Sequence, residues 1–229
     1  MTSAIVVAAG KGMRMNDQRR KQYLMLCDRP IVVHTLLAIQ SCNLIKRIIL
    51  VVPAQDLDFC RQKILIPLKL YDQVQLVAGG EERQDSVFNG LQSIDDKEGL
   101  VVIHDGVRPF VKASQLVGCI NEARETGACI LGMPAFETVK QEDGSGCIAK
   151  TLDRTNLWLV QTPQVFQYKI ISQAHRKARE NGFKASDDAV LVERLGYKVK
   201  IIRGAASNIK ITTPEDLRMG EAILRSRIP

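Results

Sequence analysis

The 229-residue chain carries 32 Lys plus Arg against 25 Asp plus Glu, a formal charge of +7, with 45% hydrophobic and 25% charged residues. These proportions are those of folded globular chains and exclude collagen-like, coiled-coil and disordered classes. A chain of this length buries enough surface to fold as one α/β domain, residues 1–229, without a disulfide or metal staple.

The first apolar run, Ile5 to Ala8, follows an N-terminus with no basic segment and meets glycine at Gly10, a pattern unlike a secretory signal. Similar short, nearly continuous runs recur at Ile48 to Val52, Val74 to Val77, Leu100 to Ile103 and Ile130 to Met133. They predict strands buried on both faces. Helical periodicity lies between them, at Ile31 to Ile39, Leu57 to Ile64, Ser86 to Ile94 and Leu116 to Ala123, with Gly127 as a stop. This βαβα order predicts a mostly parallel sheet covered on both sides, with ligands outside the carboxyl ends of the strands.

From Glu137 to Arg154 the pattern changes to alternation around Asp143-Gly144-Ser145-Gly146, which predicts a β-hairpin. A two-stranded ribbon is marginal alone and must pack on its own domain or on a second subunit; residues 137–154 are expected to form an arm exchanged across a homodimer. After Thr162-Pro163-Gln164 come a basic helix from Tyr168 to Asn181, closed by Gly182, another helix from Asp187, and a strand from Val199 to Ile202. Thr213-Pro214-Glu215-Asp216 announces the last helix, with a threonine cap, proline in the first turn and acids after it.

No run approaches the roughly 18 apolar residues of a membrane span, so no membrane partner is expected. The six cysteines are scattered without a C-x-x-C pair, which disfavours zinc and redox sites and suits the reducing cytoplasm. Aromatics are 5% of the chain and the basic residues are spread along it, so a nucleic-acid partner is not expected either. One basic cluster stands out: Lys11, Arg14, Arg19, Arg20 and Lys21 against the single acid Asp17.

That cluster adjoins Ala8-Ala9-Gly10-Lys11-Gly12-Met13-Arg14-Met15, where a strand meets two glycines. Such a loop lets backbone N–H groups approach a phosphate, yet glycines also make ordinary tight turns, and the loop alone leaves both readings open. The dinucleotide fingerprint is excluded because Met15 stands where a third glycine belongs, and the Walker loop because no Gly-Lys-Ser/Thr follows.

With Lys21-Gln22-Tyr23-Leu24, this loop resembles the signature of sugar nucleotidyltransferases. Further segments narrow the likeness: Gly79 to Ser86, His104-Asp105-Gly106-Val107-Arg108-Pro109, Asp153-Arg154, Gln161 to Gln164 and Asn208 to Thr212. Together they resemble the 2-C-methyl-D-erythritol 4-phosphate cytidylyltransferase family of the non-mevalonate isoprenoid pathway, over nearly the whole chain. The resemblance implies a Rossmann-like three-layer nucleotidyltransferase fold with a protruding hairpin, a homodimer, Mg²⁺, and CTP and methylerythritol phosphate as substrates.

Residue by residue, the resemblance implies that Arg14, Lys21 and Lys210 stabilise charge on the reacting phosphates. It implies that Ala8, Ala9, Gly10, Gly12, Gly80, Glu81 and Ser86 bind the nucleotide, with Glu81 standing where relatives often have aspartate. Asp105 would hold Mg²⁺ and, with Arg108, Thr138, Arg154 and Thr162, meet the sugar phosphate, Thr138 and Arg154 coming from the neighbouring subunit's arm. Blander roles stay open for several: a turn for Asp105, a helix start for Ser86, a surface ion pair for Arg108, exposed strand positions for Thr138 and Arg154. Rival functions are ribitol 5-phosphate cytidylyl transfer, disfavoured by Asp153 to Trp158, an idle nucleotide-binding protein, and a charge-driven nucleic-acid binder.

Overall fold

The computed structural model describes residues 1–10 and 20–226, so the expected roles of Gly12 and Arg14 lie outside the described residues. Strand β1 (Thr2–Val7) is followed by a 3₁₀ turn at Lys21–Tyr23, the short strands β2 (Met25–Leu26) and β3 (Arg29–Pro30), helix α1 (Ile31–Gln40) and β4 (Ile45–Val52). Helix α2 (Leu57–Cys60) runs into a π-helical turn at Arg61–Leu65, and β5 (Val74–Ala78), α3 (Arg83–Gln92), β6 (Leu100–Asp105), α4 (Ala113–Thr126) and β7 (Ala128–Pro134) follow. The ribbon β8 (Lys140–Glu142) and β9 (Ile148–Thr151) precedes β10 (Trp158–Gln167), α5 (Tyr168–Glu180), α6 (Asp188–Arg194), β11 (Lys200–Arg203) and α7 (Pro214–Arg225).

Seven strands form one sheet in the order β11-β7-β10-β6-β1-β4-β5. All neighbours are parallel except β10, which runs antiparallel to both β6 and β7. Successive side chains of a strand point to opposite faces, and β1 is apolar on both. Ala4 and Val6 pack with Leu36 of α1, Cys60 of α2 and Leu116 of α4, whereas Ile5 packs with Leu91 of α3, Ile171 of α5 and Val192 of α6. The result is the expected three-layer α/β arrangement. A smaller cluster of Leu24, Leu26, Ile31, Val107, Phe110 and Ile211 seats α7 against the loops beyond β1 and β6. Burying a side chain such as Phe110 contributes about 1.5–3 kcal/mol.

Local signals act as expected at several boundaries. Gly127 takes a left-handed φ of 85° and its N–H closes α4 on Ala123 at 2.9 Å. The Thr213 hydroxyl accepts from the N–H of Asp216 at 3.2 Å, and the Asp216 carboxylate accepts from the N–H of Thr213 at 2.9 Å. The hairpin turn carries φ of 90° at Gly144 and 89° at Gly146, values that favour glycine, and its strands are exposed throughout.

Two boundaries differ. Helix α3 begins at Arg83, so Ser86 lies a turn inside it rather than at its start. The segment around Thr162-Pro163-Gln164, to which the sequence pattern assigns no element, is part of the ten-residue strand β10. Proline has no N–H for the ladder, and here the pairing with β7 shifts between Gln161 and Gln164, a bulge that accommodates it.

Candidate active site

The register of the parallel strands sets Val7 beside Val51 on one flank and Asp105 on the other, so the carboxyl ends of β1, β4 and β6 meet at one edge. The chain leaves that edge through Ala8, Ala9 and Gly10. Ala8 is held from two sides: its N–H donates to Val51 O at 2.8 Å, and its carbonyl accepts from the buried Gln22 Nε2 at 2.6 Å. Gln22 thereby pins the turn that carries Lys21 to the mouth of the same cleft. Its neighbour Tyr23 packs edge-on against Phe59, with its hydroxyl 3.2 Å from Cys60 Sγ.

The opposite wall is the loop after β5. A side chain at Gly79 would run into Cβ of Ala9 and come within 2.9 Å of Ser86 Oγ, so glycine permits the two loops to touch. The buried Ser86 hydroxyl accepts from Gly80 N–H at 3.1 Å and donates to Glu82 O at 3.1 Å. It shapes the loop that holds Gly80 and Glu81 against the cleft.

At the floor, Asp105 is 5% exposed and ringed by cations. Lys210 Nζ lies 2.7 Å from its Oδ2, Arg83 Nε 3.1 Å from Oδ1, and Arg108 Nε 3.8 Å from Oδ2. Burial alone would raise the Asp105 carboxyl, but Arg83, Lys210 and Arg108 outweigh it and hold the group well below the usual carboxylate range. It is ionised at neutral pH. A role for Asp105 confined to turning the chain does not account for these three partners.

A closed ring of hydrogen bonds holds this floor. Thr162 Oγ1 accepts from the N–H of Asp105 at 3.1 Å and lies 3.0 Å from His104 Nδ1. His104 Nε2 is 3.0 Å from Arg108 O, and a carbonyl only accepts, so Nε2 carries the hydrogen and Nδ1 accepts from the threonine hydroxyl. Burial pushes His104 down to about 4, which keeps the ring neutral. Arg108 Nη1 donates to Asn208 O at 2.8 Å, and Asn208 Nδ2 donates to Thr162 O at 2.9 Å. With Ile211 N–H on Val107 O at 2.9 Å, the ring brings the segment of Lys210 to Asp105.

Lys21, Lys210, Gly80, Glu81, Ser86 and Asp105 therefore share one cleft with Ala8, Ala9 and Gly10. A neighbouring cleft shares Arg83, Asp105 and Lys210 with it and adds Arg108 and Thr162. Arg108 is mostly buried, and its Nε has no hydrogen-bond partner, so a surface ion pair does not describe it. Thr138 and Arg154 line neither cleft: both are exposed near the base of the hairpin, where Arg154 Nη1 donates to Phe136 O.

Arg83 is the residue that sequence reasoning passed over, although it stands inside the quoted Gly79 to Ser86 segment. Its signal was a cation between two glycines and a helix start; its partners, on β6 and α6, are remote in sequence. No group of three or more His, Cys, Asp or Glu that could hold a metal occurs among the described residues.

Comparison with known proteins accords with this geometry. The profile of the family described as 2-C-methyl-D-erythritol 4-phosphate cytidylyltransferase matches residues 2–226. A 2-C-methyl-D-erythritol 4-phosphate cytidylyltransferase of Syntrophus aciditrophicus is 49% identical over 222 residues, 97% of this chain and 95% of that relative. One from Pelotomaculum thermopropionicum is 44% identical, covering 98% of this chain and 94% of its own. The crystal structure of a 4-diphosphocytidyl-2C-methyl-D-erythritol synthase from Anaerococcus prevotii superposes with a TM-score of 0.86 at 36% identity, over 98% of this chain and 96% of that one.

Proposed function

The chain belongs to the 2-C-methyl-D-erythritol 4-phosphate cytidylyltransferase family, and we propose that its strand-end cleft performs that family's reaction through fixed cations, a magnesium ion and a second copy of the chain. The enzyme transfers the cytidylyl group of CTP to 2-C-methyl-D-erythritol 4-phosphate, giving 4-diphosphocytidyl-2-C-methyl-D-erythritol and pyrophosphate in the non-mevalonate isoprenoid pathway. The observation that carries the reading is Asp105, buried among three cations at the floor of a glycine-walled cleft.

A phosphate monoester with a second pKa near ~6 is largely dianionic at neutral pH, so the attacking oxygen needs no general base. The obstacle is repulsion between two anions, with charge gathering on the α-phosphoryl oxygens and the leaving pyrophosphate. Lys21 and Lys210 supply fixed positive charge at the cleft, and Arg14 is assigned the same task. Ala8, Ala9 and Gly10 bring backbone close to the triphosphate, a task the family likeness also assigns to Gly12, while Gly80, Glu81 and Ser86 bound the space for the base.

Magnesium suits Asp105. The ion takes one or two carboxylates and completes its shell with water and substrate phosphate, and Asp105 is the ionised side chain this cleft offers; to hold the ion its Oδ2 would give up Lys210, which the proposed reaction turns to the α-phosphate. When bound, the ion neutralises phosphate charge.

Arg108, beside Asp105 in the neighbouring cleft, is assigned to the acceptor substrate, and Thr162 serves by fixing the backbone of Asp105. Thr138 and Arg154 would reach the sugar phosphate from the partner's hairpin, where arginine's planar fork can grip phosphate. In favour of that dimer, Phe136, Ile148, Leu159 and Val160 expose large apolar side chains along the hairpin and β10. A cytoplasmic setting suits the cysteines, none of which is paired. Among the described residues no helix is long and apolar enough to cross a membrane.

The test is pyrophosphate release from CTP with methylerythritol phosphate, comparing the native protein with Arg14→Ala and Arg154→Ala. Loss of turnover in the first, and loss of sugar-phosphate acceptance with CTP binding kept in the second, are expected. Release with ribitol 5-phosphate alone, or equal activity in all three proteins, would defeat the assignment.

A further inference from the structure

Arg83 divides its guanidinium between two carboxylates. Nε donates to Asp105 Oδ1 at 3.1 Å and Nη1 donates to Asp188 Oδ2 at 2.7 Å. Asp188 opens α6 and is 1% exposed; His175 on α5 is fully buried and places Nε2 3.0 Å from Asp188 Oδ1. A carboxylate only accepts, so the hydrogen sits on Nε2, while the buried Nδ1 has no partner. Asp188 is fixed from the sheet as well: Gln164 Oε1 accepts its N–H at 3.1 Å.

Neither Asp188 nor His175 lines the clefts, whereas Arg83 borders both. Burying a carboxylate, an imidazole and an orphaned ring nitrogen is a costly way to join α3, α5 and α6, which an apolar contact would do more cheaply. The arrangement makes sense if the position of Arg83 matters. Released from Asp188, the guanidinium could turn two N–H groups of one edge onto Asp105, because the fork matches a carboxylate bidentately.

We propose that the His175–Asp188 pair is a positioning device that holds one edge of Arg83, so that Arg83 presents a single N–H to Asp105 and a fixed charge where the two clefts meet. The inference rests on the cytidylyl-transfer reading, in which the acceptor phosphate and the α-phosphate must meet at that place. Asp188 and His175 act through Arg83.

The test is a double-mutant cycle on the full chain, using pyrophosphate release for kcat and KM and calorimetric titration with CTP for binding. Asp188→Asn keeps the shape and removes the charge. It is expected to lower kcat about tenfold or more with KM for CTP changed less than about threefold, and to cost less than about twofold when added to Arg83→Gln. Should Asp188→Asn not fold, as judged by circular dichroism, His175→Gln makes the same comparison, with a kcat loss that disappears in the Arg83→Gln background. A kcat within about twofold of native, or losses that multiply in the double variant, would overturn the proposal. A native protein that released no pyrophosphate would strike the reaction itself, whereas an active native protein with an indifferent Asp188→Asn strikes the positioning role alone.

Discussion

Lys210 Nζ sits 2.7 Å from Asp105 Oδ2, joining the segment before α7 to the carboxyl end of β6. The lysine side chain is 37% exposed and the aspartate is buried, so the ammonium bridges a buried carboxylate and the open cleft. In the proposed reaction the same charge faces the α-phosphate. Lys210→Ala is expected to lower kcat about 10²–10³-fold, the scale of removing one donor from a charge-stabilising site. Steady-state pyrophosphate release checks it, and a loss confined to KM would mean that Lys210 only helps substrates to bind.

The contact between the two glycine loops makes a sharper prediction about shape. In Gly79→Ala the new methyl would meet Ala9 and Ser86, so the loops must part. Overpacking of this kind costs about 1–3 kcal/mol, and CTP affinity measured by calorimetry should fall with it. Gly118→Ala, within α4, is the control: its methyl would lie 3.6 Å from Ile202 Cδ1 of β11, an ordinary contact, and helix propensity favours alanine by up to about 1 kcal/mol. Its melting temperature should hold or rise.

His104 makes stability depend on pH. Its folded pKa of about 4 lies below the ordinary 6.5, so between these values the unfolded chain binds the extra proton. Its contribution is fully present above about pH 6.5 and is lost as pH falls toward 4, by about 1.4 kcal/mol per pH unit inside that window. Asp105 acts with the same sign at lower pH, because its depressed carboxyl favours the fold until pH falls below the ordinary carboxylate range. Urea unfolding of native protein and His104→Gln at pH 7.5 and 5.0 should give a steeper decline for the native chain. Parallel declines would mean that the ring titrates freely.

The arm predicts complementation. In the proposed reaction Arg14→Ala would spoil a protomer's own cleft, whereas Arg154→Ala would spoil the arm lent to its partner. Each variant alone should be nearly inactive. After exchange of subunits, half of the dimers would be mixed and each would hold one intact site, restoring roughly a quarter of native activity. Co-unfolding and refolding the two, followed by sedimentation and the pyrophosphate assay, measures it. A mixture as inactive as its parts would place both arginines at the same protomer's site.

Elements whose signal lies within a few neighbouring residues were legible before any coordinates. The apolar runs of β1, β4, β5, β6 and β7, the stop at Gly127 and the cap at Thr213 all depend on periodicity, a left-handed glycine or a side chain reaching three residues along. The motif-bearing loops stand out by their likeness to a family, and the cleft gathers Lys21, Gly80, Ser86, Asp105 and Lys210 from them.

What depended on distant partners stayed hidden. No strand was expected at β10, where Pro163 interrupts the local pattern, yet its flanks are paired by β6 and β7, whose ladders draw the chain through the bulge. Arg83 acquires its meaning from Asp105 and Asp188, and Thr162 from His104 and the backbone of Asp105. Hydrogen bonds and ion pairs act over a few ångströms of space, a distance that sequence spacing does not encode until the strands have found their order.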